Sequence, residues 1–218
     1  MKKKVGVVLS GCGVFDGSEI HEAVFTLLAV DRYGAEAVCT APDLEFPEVN
    51  HLTGKATGAR RNVLTESARI ARGKIRDIKE MRAEELDAVI FPGGYGAASN
   101  LCNFAERGAE AEIHPEVARL LRDMAKAGKP ICAICIAPAL VAATLGREYA
   151  PKLTIGTDAG TAAAIAATGS EHVQCPVTEF VVDKERRIVS TPAYMLAQRI
   201  SETADGIDKA VRATLDLI

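Results

Sequence analysis

Cys135 stands where chemistry would be expected. The run Pro130-Ile131-Cys132-Ala133-Ile134 reads as a buried strand, and Ile136-Ala137-Pro138 opens a helix directly after it. Pro138 suits the first turn of that helix, where a missing N–H costs nothing. A thiol at this boundary faces the unpaired N–H groups and positive dipole end of the helix, which favour the nucleophilic thiolate. The same pattern also fits a buried cysteine packing as a small hydrophobe, and local sequence leaves both readings open. Two other turns offer groups such a thiolate could use. Pro92-Gly93-Gly94-Tyr95-Gly96 follows the apolar run ending at Phe91. Its glycines either let backbone N–H groups approach and hold an oxyanion or make a sharp turn and nothing more. The stretch from Ser10 to Glu22 follows the first apolar run and holds Cys12, Asp16, Glu19, His21 and Glu22. Asp16 with Glu19 has the spacing of a capping box. Glu22 opens a segment, Ala23 to Val30, that is apolar nearly all round; a carboxyl there would be raised in pKa by burial and suit acid–base work.

The elements that must position these turns read as alternating strands and helices. Near-continuous apolar runs at Lys4 to Leu9, Ala35 to Ala41, Leu86 to Phe91 and Pro130 to Ile134 predict strands buried on both faces of a parallel sheet. Helices are predicted from Glu19 to Tyr33, Val63 to Ala71, Pro115 to Ala127 and Ala137 to Leu145, closed by Gly34, Gly73, Gly128 and Gly146. Phe180 to Asp183 and Arg187 to Ser190 form a hairpin pattern, while an Ala-rich helix from Asp158 to Ala167 and the stretch from Tyr194 onward would cover the sheet. Leu44 to Arg61, with two prolines and two glycines among its residues or close by, reads as a long loop and a candidate lid. The expected fold is α/β, a flavodoxin-like three-layer sandwich with a mainly parallel sheet, over one domain spanning 1–218. In such a sheet ligands bind at the carboxyl ends of the strands, where these three turns fall.

The totals narrow the function. At 218 residues the chain can bury one good core, and a formal charge of -3 lacks the clustered positive charge a nucleic-acid partner requires. The basic start Lys2-Lys3-Lys4 leads into an apolar run too short for a signal peptide or membrane span, so a cytoplasmic protein is expected. Six scattered cysteines do not make a secreted disulfide scaffold, and Cys132-x-x-Cys135 has no second pair to complete a zinc site. Gly11, Gly13 and Gly17 miss the spacing of a dinucleotide fingerprint. His114 before Pro115 reads as a helix start and His172 as a loop residue. His21 points to a different helical face from Glu22, and His51 falls in the candidate lid. Asp158 fits both a cap and a pocket residue; Cys12 and Asn100 are further pocket candidates.

Taken in order, Glu22, the Pro92-to-Gly96 turn and Ala133-Ile134-Cys135-Ile136-Ala137-Pro138 resemble the PfpI/ThiJ, or class I glutamine-amidotransferase-like, superfamily. Within it, the runs VVLSGCGVFDGSEIHEAV, FPGGYGAASNL, CIAPA, EHVQCPV and STPAYMLAQ are similar to the ElbB group of isoprenoid-biosynthesis proteins with an amidotransferase-like domain. The resemblance implies a nucleophile at Cys135, a partner carboxyl at Glu22, and an oxyanion pocket from the N–H of Gly94 or Tyr95 and that of Ile136. It also implies a homodimer and a glyoxalase turning a small dicarbonyl into a 2-hydroxy acid, with no cofactor and no metal. The position after the nucleophile is Ile136, where peptidase-like members carry histidine, and no late His-x-Glu pair exists for glutamine hydrolysis. A redox-sensing protein with an oxidisable Cys135 is the alternative, tied to isoprenoid synthesis by the family's name alone.

Overall fold

The computed structural model describes residues 2–218. Its elements run β1 (Lys4–Val8), α1 (Ile20–Arg32), β2 (Glu36–Ala41), β3 (Glu45–Asn50), β4 (Lys55–Asn62), α2 (Val63–Ile70), β5 (Ile75–Asp77), β6 (Ala88–Phe91), α3 (Tyr95–Ser99), α4 (Phe104–Arg107), α5 (Pro115–Lys126), β7 (Ile131–Ile134), α6 (Ala137–Tyr149), β8 (Lys152–Leu153), α7 (Ala159–Ala167), β9 (Glu171–His172), β10 (Val181–Asp183), β11 (Ile188–Thr191) and α8 (Ile200–Asp216). Seven strands form the central sheet in the order β10-β11-β7-β6-β1-β2-β5. All neighbours are parallel except the β10–β11 hairpin. The predicted apolar strands supply its centre because each must be apolar on both sides. Val89, Phe91, Ile131 and Ala133 pack on one face against α5 and α6, while Ala88, Ile90, Cys132 and Ile134 pack on the other beneath α8 and the end of α1. The result is a three-layer α/β fold. Strand order reverses at β1, with β2 on one side and β6 on the other, so a crevice opens beyond the carboxyl ends of β1 and β6.

Three local expectations change. The segment 44–61 is no loop: β3 and β4 pair antiparallel with an irregularity between Pro47 and Val49. Apolar alternation is missing because β4 is exposed on nearly every residue. The hairpin is held instead by buried Phe46, beneath the Arg61 guanidinium at 5.4 Å, and by Arg61 bridging Asp16 at 2.7 Å, Glu66 at 2.8 Å and Glu48 at 3.3 Å. Asp16 also accepts from the Val49 N–H at 2.8 Å. That engagement removes it from the expected capping box; α1 starts at Ile20, capped by Glu19, whose carboxylate accepts from the Glu22 N–H at 2.7 Å. Finally, Gly146 does not end α6, which runs to Tyr149 and closes on Ala150 with φ 43°. Gly146 is there for space: a Cβ would stand 2.5 Å from the Thr168 carbonyl oxygen.

Candidate active site

Cys135 is the first of the two residues between β7 and α6, and it has φ 63°. A non-glycine residue in the left-handed region is strained and persists only where its surroundings hold it. Here Cys135 N–H donates to the Thr191 carbonyl at 2.9 Å, so the neighbouring strand β11 pins the elbow. The bend turns the side chain out of the sheet, 7% exposed, toward the N–H groups of Gly94 and Ile136, which favour the anionic sulfur.

Glu22 comes from the first turn of α1 and is fully buried. Its carboxyl lies within hydrogen-bonding reach of the Cys135 thiol. One oxygen accepts from the Gly93 N–H at 3.0 Å and the other from the Tyr194 N–H at 3.2 Å. The second donor is delivered by Ala193, which has φ 44°. Gly93 is required by packing: a Cβ there would run into Cys135 Cβ and stand 2.6 Å from the Glu22 carboxyl. Gly94 is required by both its φ of 96° and its close approach to Gly17 and Glu19.

Burial pushes the Glu22 carboxyl up to about 8, against an ordinary 4.5; the nearby charge of Glu19 adds to this, and the N–H donors and Cys135 oppose it. Glu22 is therefore a carboxylic acid at neutral pH. The thiol does not behave as the helix-terminus argument alone expects. Burial pushes Cys135 up, an ionised Glu22 pushes it further, and the N–H groups of Gly94 and Ile136 pull it down. The contribution from Glu22 vanishes when Glu22 carries the proton. The two groups thus titrate as one unit, in which a single remaining proton can sit on the carboxyl while the sulfur is anionic.

The thiol opens into a cavity of about 520 Å³ lined by Glu19, Gly94, Tyr95, Ile136 and Tyr194, and by apolar side chains including Phe15, Phe104 and Met195. A larger depression of about 730 Å³ beside α5 is lined mainly by charged side chains and holds no nucleophile.

The other candidates divide. Glu19 caps α1 and lines the cavity. Tyr95 lines it too, but its N–H donates to the Val14 carbonyl at 2.8 Å, leaving Gly94 and Ile136 as the N–H groups that favour the anionic sulfur. His21 is exposed, with Nδ1 2.7 Å from the Tyr194 hydroxyl, and reaches the site only through that tyrosine. Asn100 is spent within the fold, donating to the carbonyls of Ser10 and Asp16 at 2.9 Å each. Asp158 caps α7 through the Thr161 N–H at 2.7 Å. Cys12 lies among Glu66, Arg69, Arg61 and Asp16, on the hairpin side of the β1 turn, and does not line the cavity. The hairpin tip reaches the cavity wall indirectly: His51 accepts from the Phe15 N–H at 3.2 Å. His114 caps α5. His172 accepts weakly from the Ile155 N–H at 3.4 Å. Among the described residues no histidine lines the cavity, and Cys132, in the same core cluster as Cys135 but inside the strand near Thr214 of α8, is pushed by burial up to about 12.

Sequence reasoning missed Phe15, Phe104, Thr161, Tyr194 and Met195 as cavity residues. The signal for Tyr194 lay in Ser190-Thr191-Pro192-Ala193-Tyr194, a strand running into a turn at the same sheet edge as the other three.

Comparison with known proteins gives the family. The chain is 45% identical to a human protein, "Glutamine amidotransferase-like class 1 domain-containing protein 3, mitochondrial", over 98% of this chain and 83% of that one. It is 42% identical to the rat "ES1 protein homolog, mitochondrial", over 99% and 84%. Among solved structures it matches an isoprenoid biosynthesis protein with amidotransferase-like domain from Ehrlichia chaffeensis, with TM-score 0.92 and 38% identity over 99% of this chain and 100% of that one. The mitochondrial names of the curated relatives overturn the expectation of a cytoplasmic protein. That expectation rested on a short apolar run, which argues only against secretion and membrane insertion. No helix among the described residues is long and apolar enough to cross a membrane. With residues 14–190 matching the family's profile, the chain belongs to the DJ-1/PfpI family.

Proposed function

We propose that the protein is a cofactor-independent glyoxalase converting a small α-oxoaldehyde to the corresponding 2-hydroxy acid. The observation that carries this reading is the pairing of Cys135 with a buried, proton-bearing Glu22, in a cavity whose wall includes no histidine. Peptide and glutamine hydrolysis need a group that takes the thiol proton as base and then, as acid, gives it to the leaving amine, a role usually filled by histidine; moving a proton between adjacent carbons needs one carboxyl.

Cys135 sulfur adds to the aldehyde carbon, a C–S bond forms as the C=O π bond opens, and the proton held by the pair goes to the new oxyanion. The Gly94 and Ile136 N–H groups steady that charge. Glu22 carboxylate then takes the C–H proton of the hemithioacetal, giving an enediol, and returns a proton to the neighbouring carbon. The product is a thioester of the 2-hydroxy acid. Water cleaves it and restores the thiol, so the net change is addition of one water. For glyoxal the product is glycolate.

The rival reading, a redox sensor, uses the same carboxyl proton to hold a sulfinate oxygen. Both readings need the Cys135 thiolate, so its burial weighs equally on each, and kinetics on the aldehyde set beside mass spectrometry after mild peroxide separate them. The mitochondrial names of the relatives support a mitochondrial setting for this chemistry. Steady-state conversion of glyoxal to glycolate is the test. Cys135→Ala should fall to background and Glu22→Gln nearly so, and unchanged turnover in either variant would reject the assignment.

A further inference from the structure

Glyoxal has four non-hydrogen atoms and takes up about the volume of two or three waters at ~30 Å³ each. The cavity in front of Cys135 holds about 520 Å³, within the range of pockets that enclose drug-sized ligands. The surplus space is apolar. Its apolar lining includes Val14, Phe15, Phe104, Ala105 and Met195. Phe15 is half-exposed, and its backbone N–H donates to His51 at 3.2 Å. Among the lining residues the one charged side chain is Glu19, and no lysine or arginine faces the cavity.

We infer that the preferred substrate is a neutral α-oxoaldehyde bearing an apolar substituent of about four to six carbons, a conclusion that rests on the glyoxalase reading above. The aldehyde carbon sits at Cys135 and the substituent extends toward Phe104 and Thr161. A carboxylate-bearing aldehyde would meet Glu19 and lose its hydration with no cation to receive it. This preference also separates the site from glutamine or amino-acid chemistry, since such substrates bring a carboxylate into the cavity.

The experiment compares kcat/KM for glyoxal, methylglyoxal, a longer α-oxoaldehyde ending in an isopropyl group, and the same chain ending in a carboxylate of matched shape. Each buried methylene contributes up to about fourfold, so the isopropyl compound should exceed methylglyoxal by at least about tenfold, and should exceed its carboxylate twin by a similar factor. Thr161→Trp, which shortens the cavity, should lower the ratio of isopropyl compound to glyoxal, and Glu19→Gln should narrow the gap to the carboxylate twin. Ratios are read within each variant, so partial loss of folded protein does not mimic the effect. Turnover of glyoxal with a flat or falling series overturns this inference alone; absence of turnover on every aldehyde overturns it together with the glyoxalase reading.

Discussion

Replacing Glu22 by glutamine should change the pH dependence of stability, with an effect that reverses sign between acid and alkaline conditions. In the folded protein the carboxyl releases its proton near pH 8, against an ordinary value of 4.5. Between those limits the unfolded chain has lost a proton that the folded chain keeps. Wild-type stability therefore falls by about 1.4 kcal/mol for each pH unit and levels off above the folded value. Across about 3.5 units the loss is about 5 kcal/mol, with no discount for solvent because Glu22 is fully buried. Glutamine cannot ionise, so the slope disappears. Its NH2 group cannot accept a hydrogen bond, however, and leaves either the Gly93 or the Tyr194 N–H unpaired, at about 1–3 kcal/mol. The variant should be less stable than wild type by about 1–3 kcal/mol near pH 5 and more stable by about 2–4 kcal/mol near pH 8.5. Urea unfolding of both proteins at several pH values, each also carrying Cys135→Ala so that the coupled thiol is absent from both, measures this directly, since the remaining common groups cancel in the difference. A stability difference that stays constant from acid to alkaline pH would refute a buried, protonated carboxyl.

Further outcomes follow from single contacts. Gly93→Ala should lower both activity and stability, by about 1–3 kcal/mol, because the added Cβ occupies space between Cys135 and Glu22; retained glyoxal turnover would contradict that packing. Gly146→Ala should destabilise despite alanine's higher helix propensity, since Thr168 and Ser170 already fill the position, and a raised melting temperature would show the contact to be loose. Arg61→Ala strands the buried Asp16 carboxylate and half the anchor of the β3–β4 hairpin, costing about 3 kcal/mol and speeding proteolytic cleavage at the hairpin tip; unaltered unfolding and cleavage would refute the role given to Arg61. Turnover should rise with pH toward about 8 as the Cys135–Glu22 pair gives up its first proton. A rate independent of pH from 6 to 9 would count against proton sharing.

The sheet was legible because its central strands are buried on both faces: Val89 and Ile90 serve opposite cores, and both had to be apolar. The hairpin was not, because β4 faces water on nearly every residue and is anchored through Arg61 and Phe46, whose partners are distant in sequence. The elbow at Cys135 could be seen from its strand-to-helix punctuation, and Glu22 from the apolar segment it opens. What sequence could not give was the direction of the thiol's shift. A helix N-terminus argues for the thiolate, but burial and the approach of α1 decide otherwise, and both are tertiary. Asp158 and Asn100 show the converse: polar residues at helix ends whose hydrogen bonds go to a cap and to a neighbouring turn.

The account's central claim is that Cys135 sulfur carries the substrate while Glu22 moves its proton. Acid-quenching the enzyme during turnover of an α-oxoaldehyde, then mapping the adduct by peptide mass spectrometry, tests it most directly. The account predicts one substrate equivalent on the peptide containing Cys135, retained in Glu22→Gln at the hemithioacetal stage and missing from Cys135→Ala. Formation of the 2-hydroxy acid at the wild-type rate by Cys135→Ala, with no adduct at this position in the wild type, would contradict it.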